Sequence, residues 1–189
     1  MVERLVYTED VGGSKPSPPT KNLIIWRKMP INNHGVTTFN EKTICGVSVD
    51  IFSIMIADQY DPKAIPNAWQ KFWKDFPKES MPSDSKAYGV SFPIETEPGK
   101  LHYVAGVEVA KGFTAPANFE ICVIPAGNYL HLEHVGNIMN LAPSYGEAYG
   151  VEFPKAGLEM RPAPHLELYD ATLNPNTDDY KMGILIPVN

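Results

Sequence analysis

The segment His165-Leu-Glu-Leu-Tyr-Asp170 sets an imidazole, a carboxylate and a phenol on alternate residues. In an extended strand, residues two apart share a face, so His165, Glu167 and Tyr169 project one way and Leu166 and Leu168 the other. The leucines are expected to pack under helices, leaving the opposite face of the sheet free to form a groove. Glu167 then faces either plain solvent or a groove walled by aromatic rings. In the second setting a carboxylate is costly unless a cation or hydrogen-bond donors compensate it. A ligand cation is one natural compensator. Ring faces attract positive charge by roughly 0.5–2 kcal/mol each, and the carboxylate adds a charge-assisted contact. The same carboxylate could instead act as a general base toward water.

Candidate walls for such a groove are Tyr88 in AYGVSF, Tyr103 in LHYVAGV, Trp69 and Trp73 in PNAWQKFW, and Tyr145, Tyr149 and Phe153 further on. Trp69, Phe72, Trp73 and Phe76 recur at i, i+3, i+4 and i+7, with Gln70, Lys71, Lys74 and Asp75 on the other side, which predicts an amphipathic helix with Pro66 in its first turn. Rings on such a stripe are more often core, so Trp69, Phe72 and Phe76 are read as core first, and Tyr88, Trp73 and Tyr149 are open between core and pocket. His165 could orient Glu167 or be structural.

Other chemistry finds little purchase. In His131-Leu-Glu-His134 the two histidines fall on opposite strand faces, a poor metal site. Cys45 and Cys122 each follow an isoleucine in an apolar stretch and read as buried, reduced thiols. The chain has no Gly-x-Ser-x-Gly elbow, and Gly12-Gly-Ser-Lys15 lacks the full glycine spacing of a phosphate loop. No cofactor and no metal are expected.

The elements that position these residues follow one order twice. VTTF, a turn at Asn40–Lys42 and TICGVSV suggest a hairpin, as do FEICVI, Pro125-Ala-Gly-Asn128 and YLHLEHV. A helix follows each: the amphipathic one above, and a second with Ile138, Leu141, Tyr145 and Tyr149 on one face, kinked or late-starting because of Pro143 and Gly146. Two strand-like runs close each half, KAYGVSF and KLHYVAGVEV, then PHLELYD and YKMGILIPV. The expected fold is therefore α+β, two β-β-α-β-β halves (about 36–110 and 118–189) making a curved antiparallel sheet with helices on one face and a ligand groove between the halves. Residues 1–35, with Gly12–Thr20 rich in Pro and Gly, read as a leader that could wrap the body, pair with a second subunit in a homodimer, or stay mobile.

A net charge of -6 with only 16 Lys and Arg scattered along 189 residues argues against a nucleic-acid partner. No apolar run approaches the roughly 20 residues of a membrane span, and MVERLVYTED lacks the plan of a secretion signal, so a cytoplasmic protein is expected.

PNAWQKFW followed by AYGVSF, then LHYVAGVEV, VIPAGNYL and HLELYD ending in GILIPV together resemble the gyrase-inhibitor-like, AraC-type effector-binding domain, from about Val36 to the C-terminus. The resemblance implies two pseudo-symmetric halves around a ligand groove that takes hydrophobic, often cationic compounds. It maps the family's central glutamate onto Glu167 and its flanking aromatic residue onto Tyr169. The tryptophan common after the family's second helix is missing from AYGVEFPKAG, which offers Tyr149 and Phe153. No helix-turn-helix resemblance fits the first 35 residues, so a stand-alone binder of a small-molecule ligand, such as a lipophilic cation, is implied. Alternatives are a small hydrolase of electrophilic natural products using Glu167, as in some relatives, and an inhibitory protein-interaction module; a haem site would need an exposed apolar cleft with a histidine ligand.

Overall fold

A computed structural model describes residues 31–56, 58–84 and 86–189; the Gly12–Thr20 segment lies outside them. Eight strands, β1 (Ile31–Phe39), β2 (Lys42–Phe52), β3 (Lys86–Pro93), β4 (Lys100–Val109), β5 (Glu120–Ile124), β6 (Gly127–Val135), β7 (His165–Asp170) and β8 (Lys181–Val188), form one antiparallel sheet ordered β1-β6-β8-β7-β3-β4-β2-β5. The α+β class, the curved antiparallel sheet and the strand–strand–helix–strand–strand order are as expected. Replacing each strand by its counterpart in the other half reads the sheet order backwards, so the seam between β3 and β7 is the pseudo-symmetry centre.

The two expected hairpins do not form. β1 pairs with β6, and β5 with β2, so each half lends its first strand to the other. The reason is in the connections. Asn40 and Glu41 alone separate β1 from β2, and Pro125 and Ala126 separate β5 from β6. Links this short hold the strand ends they join within about 11 Å, although β1 and β2 belong to opposite ends of the sheet. The sheet must curl until its ends meet. Gly127, at φ 154, begins β6 where an added Cβ would lie 2.5 Å from the Arg161 guanidinium.

Curling closes one face on itself. Phe39, Ile44, Tyr88, Val90, Val104, Cys122, Ile124, Tyr129, Leu166 and Leu185 form a cluster drawn from all eight strands, with no helical residue. Leu166 and Leu168 therefore pack inside the curl rather than under helices, which corrects the expectation from alternation alone. The face that carries Glu167, expected to be free of helices, is the one the helices cover, and the cleft opens on it between them.

The helices cover the outer face. α1 (Ala64–Asp75) sets Phe72, fully buried, against Val47, Ala87, Ala105 and Val107, with Phe76 just beyond its end. The second helical run starts at α2 (Leu141–Glu147), passes through a π turn at Ala148–Glu152 and ends in α3 (Phe153–Ala156). Pro143 falls in its first turn, where a missing N–H costs nothing. This run packs on Leu130, Leu132, Met182, Ile184 and Ile186. Cys45 and Cys122 are buried free thiols on opposite faces, pushed by burial up to about 11 and about 12. His134 is turned into the core onto Ser144, away from His131 and Glu133.

Leu166→Ala should cost about 2–5 kcal/mol in denaturant melts, because the interior of the curl has no helix that can settle into the void.

Candidate functional site

Between α1 and α2, over the β3–β7 seam, lies a cleft of about 260 Å³. Ile51, Ile54, Met55, Ile65, Leu101 and Leu141 make its apolar wall; Tyr60, Tyr103, Tyr145 and Tyr149 add rings, and Ser53, Ser91, His165 and Glu167 the remaining polar groups. Glu167, only 5% exposed, sits at its floor.

Three hydroxyls converge on this carboxylate. Tyr103 on β4 donates to Oε2 at 2.8 Å, Tyr169, two residues along the same strand, donates to Oε2 at 2.5 Å, and Tyr145 on α2 donates to Oε1 at 2.6 Å. The indole of Trp69 on α1 donates to the Tyr103 hydroxyl at 3.1 Å, so both helices and both halves of the sheet hold one side chain in place. A carboxylate has about four lone-pair sites; two donors meet Oε2 and one meets Oε1, which leaves Oε1 able to accept from a ligand. Burial first, and then the Glu167 charge, hold the Tyr103, Tyr145 and Tyr169 hydroxyls well above the usual phenol range, so all three keep the protons they donate.

Gly89 makes this possible. It pairs with Glu167 across the seam, and a Cβ there would collide with the Tyr103 hydroxyl and lie 2.6 Å from Glu167 Oε2. One step along β7, the hydroxyl of Tyr149 meets His165 Nδ1 at 2.6 Å. Burial pushes the His165 imidazole down to about 4, so it is neutral near pH 7.

Of the residues chosen from sequence, Glu167, Tyr103, Tyr145 and Tyr149 line the cleft, and Tyr169 and Trp69 brace it from behind. Three lie elsewhere. Tyr88 faces the interior of the curl, one residue out of phase with Gly89. Trp73 is stacked on the far side of Trp69 and is 43% exposed. Phe153 packs beneath the second helical run. Sequence reasoning missed Tyr60, which sits in a loop without periodicity, and Leu101 and Ser91; alternation puts Leu101 on the face of Tyr103, and Ser91 on that of Gly89.

The sequence profile of the GyrI-like small molecule binding domain matches residues 53–189. The chain belongs to this family. The transcriptional regulator BrlR of Pseudomonas aeruginosa is 28% identical over 130 residues, a match that takes in 66% of this chain and 46% of BrlR, so the chain spans about half that relative's length. SAV2435, solved bound to tetraphenylphosphonium, has a similar fold (TM-score 0.64, 17% identity, covering 84% of this chain and 94% of that one). So does the integron cassette protein VCH_CASS2 from Vibrio cholerae (TM-score 0.62, 18% identity, 84% and 99%). The C-terminal domain of EcmrR is a third (TM-score 0.58, 15% identity, 85% and 98%). The GyrI-like domain is thus a small-molecule-binding one, and among the described residues no helix is long and apolar enough to cross a membrane.

Two outcomes test the geometry. Gly89→Ala should destabilise by about 1–3 kcal/mol, whereas Gly150→Ala, with open space around it, should be neutral or slightly stabilising; paired urea melts decide. His165 takes up a proton near pH 6.5 when unfolded but only near about 4 when folded, so protonation favours unfolding in that window and stability falls as pH falls. The loss reaches about 3 kcal/mol at pH 4, and His165→Asn should flatten that part of the stability–pH curve.

Proposed function

We propose that the cleft binds a small, largely apolar organic cation, with Glu167 as its counter-charge and the tyrosine rings as its walls. The observation that carries this reading is a carboxylate 5% exposed at the floor of an aromatic cleft whose described lining contains no lysine or arginine. Three phenol protons satisfy its oxygens as hydrogen-bond acceptors but bring no positive charge. The negative field in this low-dielectric site therefore favours a cationic occupant. Tyr145 and Tyr149 lie parallel, 8° apart with centroids at 6.1 Å, and offer ring edges and faces to the same occupant.

A lipophilic onium ion such as the tetraphenylphosphonium found on SAV2435 fits this chemistry because its charge is spread over apolar surface and is cheap to strip of water. Ring contacts, one carboxylate and modest apolar burial together are worth about -8 kcal/mol, a micromolar affinity. The site acts as a receptor: it holds its carboxylate rigidly before the ligand arrives, so little side-chain ordering is left for binding to drive.

Titration with tetraphenylphosphonium, followed by tryptophan fluorescence, should give micromolar binding that weakens at least tenfold in Glu167→Gln and stays unchanged in Tyr88→Phe, whose ring faces the closed interior. Binding indifferent to Glu167, or none at all, would sink the assignment. Product formation from the ligand would replace it with a catalytic one.

A further inference from the structure

We infer that His165 is a second recognition group in the cleft, donating from Nε2 to a hydrogen-bond acceptor on the ligand, so that the preferred ligand is an aromatic cation bearing a carbonyl or ether oxygen roughly 6–7 Å from its charge. The inference rests on the cation reading above and specifies what else that ligand carries.

The tautomer follows from proton counting. Tyr149 has one hydroxyl proton, and its partner is His165 Nδ1 at 2.6 Å. Burial and the Glu167 charge both raise the proton affinity of that phenol, and the neutral ring accepts on one nitrogen and donates from the other. With Nδ1 accepting from Tyr149, the ring proton sits on Nε2. The reverse arrangement would leave the part-buried Tyr149 hydroxyl with no protein acceptor for its proton.

Nε2 is open to a ligand. His165 lines the cleft, its hydrogen bond is made through Nδ1, and its other nitrogen is not among the buried, unpartnered atoms of the described residues. Ser91 pairs with His165 across the seam and also lines the cleft, so this end is polar on both strands. The spacing comes from the strand. His165 and Glu167 are two residues apart on one face of β7, about 6.6 Å at the rise of an extended chain. A ligand lying along β7 meets a fixed acceptor, Oε1 of Glu167, at one end and a fixed donor at the other. Neutral imidazole also adds no positive charge that would oppose a cation.

A matched pair of probes isolates the effect: para-acetylphenyl-trimethylammonium, whose carbonyl oxygen lies at this distance from the charge, and para-isopropylphenyl-trimethylammonium, the same shape without the acceptor. By calorimetry the acetyl compound should bind about tenfold tighter, as expected for one hydrogen bond in a dry site. His165→Phe should remove that advantage, so that the two compounds bind within about twofold of each other. Tyr149→Phe, which frees the ring to place its proton on Nδ1, should shrink the advantage while the fold is kept. Long-range 1H–15N spectra of the ligand-free protein should show the proton of His165 on Nε2. Equal affinity for the two probes, an advantage that survives in His165→Phe, or a proton on Nδ1 would each overturn the inference with the cation reading intact. Failure of both probes and of tetraphenylphosphonium to bind would overturn the two together.

Discussion

Two links of two residues each govern this molecule. Because Asn40-Glu41 and Pro125-Ala126 join strands that lie at opposite ends of one eight-stranded sheet, the sheet has to curl until its ends are neighbours. The inner face then fills with side chains from every strand and carries no helix in its cluster. The cleft lies instead on the outer face. There the two helical segments pack on the two halves of the sheet and leave an uncovered strip along the seam between β3 and β7.

That strip is where the pseudo-symmetry of the fold is broken to useful effect. The strand order is the same read from either end, yet the two seam strands differ in what they carry on the outer face: β7 brings His165, Glu167 and Tyr169, and β3 brings Ala87, Gly89 and Ser91. One strand supplies functional groups and the other supplies space. A side chain at Gly89 would occupy the volume in which Glu167 and the Tyr103 hydroxyl meet. A duplicated scaffold thus yields one carboxylate rather than two like charges facing each other, which would repel.

The network around Glu167 also ties the site to the cores on either side. Tyr103 and Trp69 belong to the cluster under α1, Tyr145 to the cluster under α2, and Tyr169 touches both. Buried polar networks are stabilising only when every member is satisfied; here the carboxylate accepts three hydroxyls, one hydroxyl accepts an indole, and a second phenol meets a neutral imidazole. Moving one ring therefore disturbs a hydrogen bond and a packed core together. This fixes the position of the carboxylate.

By itself the sequence determined the elements and the phase of their faces. Alternation in HLELYD put His165, Glu167 and Tyr169 together, and the i, i+3, i+4, i+7 stripe located α1, because these periodicities are local properties of the backbone. Tertiary structure alone decided which strand lies beside which, which face is closed, and which rings reach the carboxylate. The short connections read as hairpins because adjacency in the chain normally means adjacency in the sheet, yet here they bridge the two halves. Tyr88 and Tyr103 look alike as residues of neighbouring strands; only the pairing register, with Gly89 rather than Tyr88 opposite Glu167, sends one into the sealed interior and the other to the site. Register and curl are sums of many long-range contacts, and no short window of residues contains them.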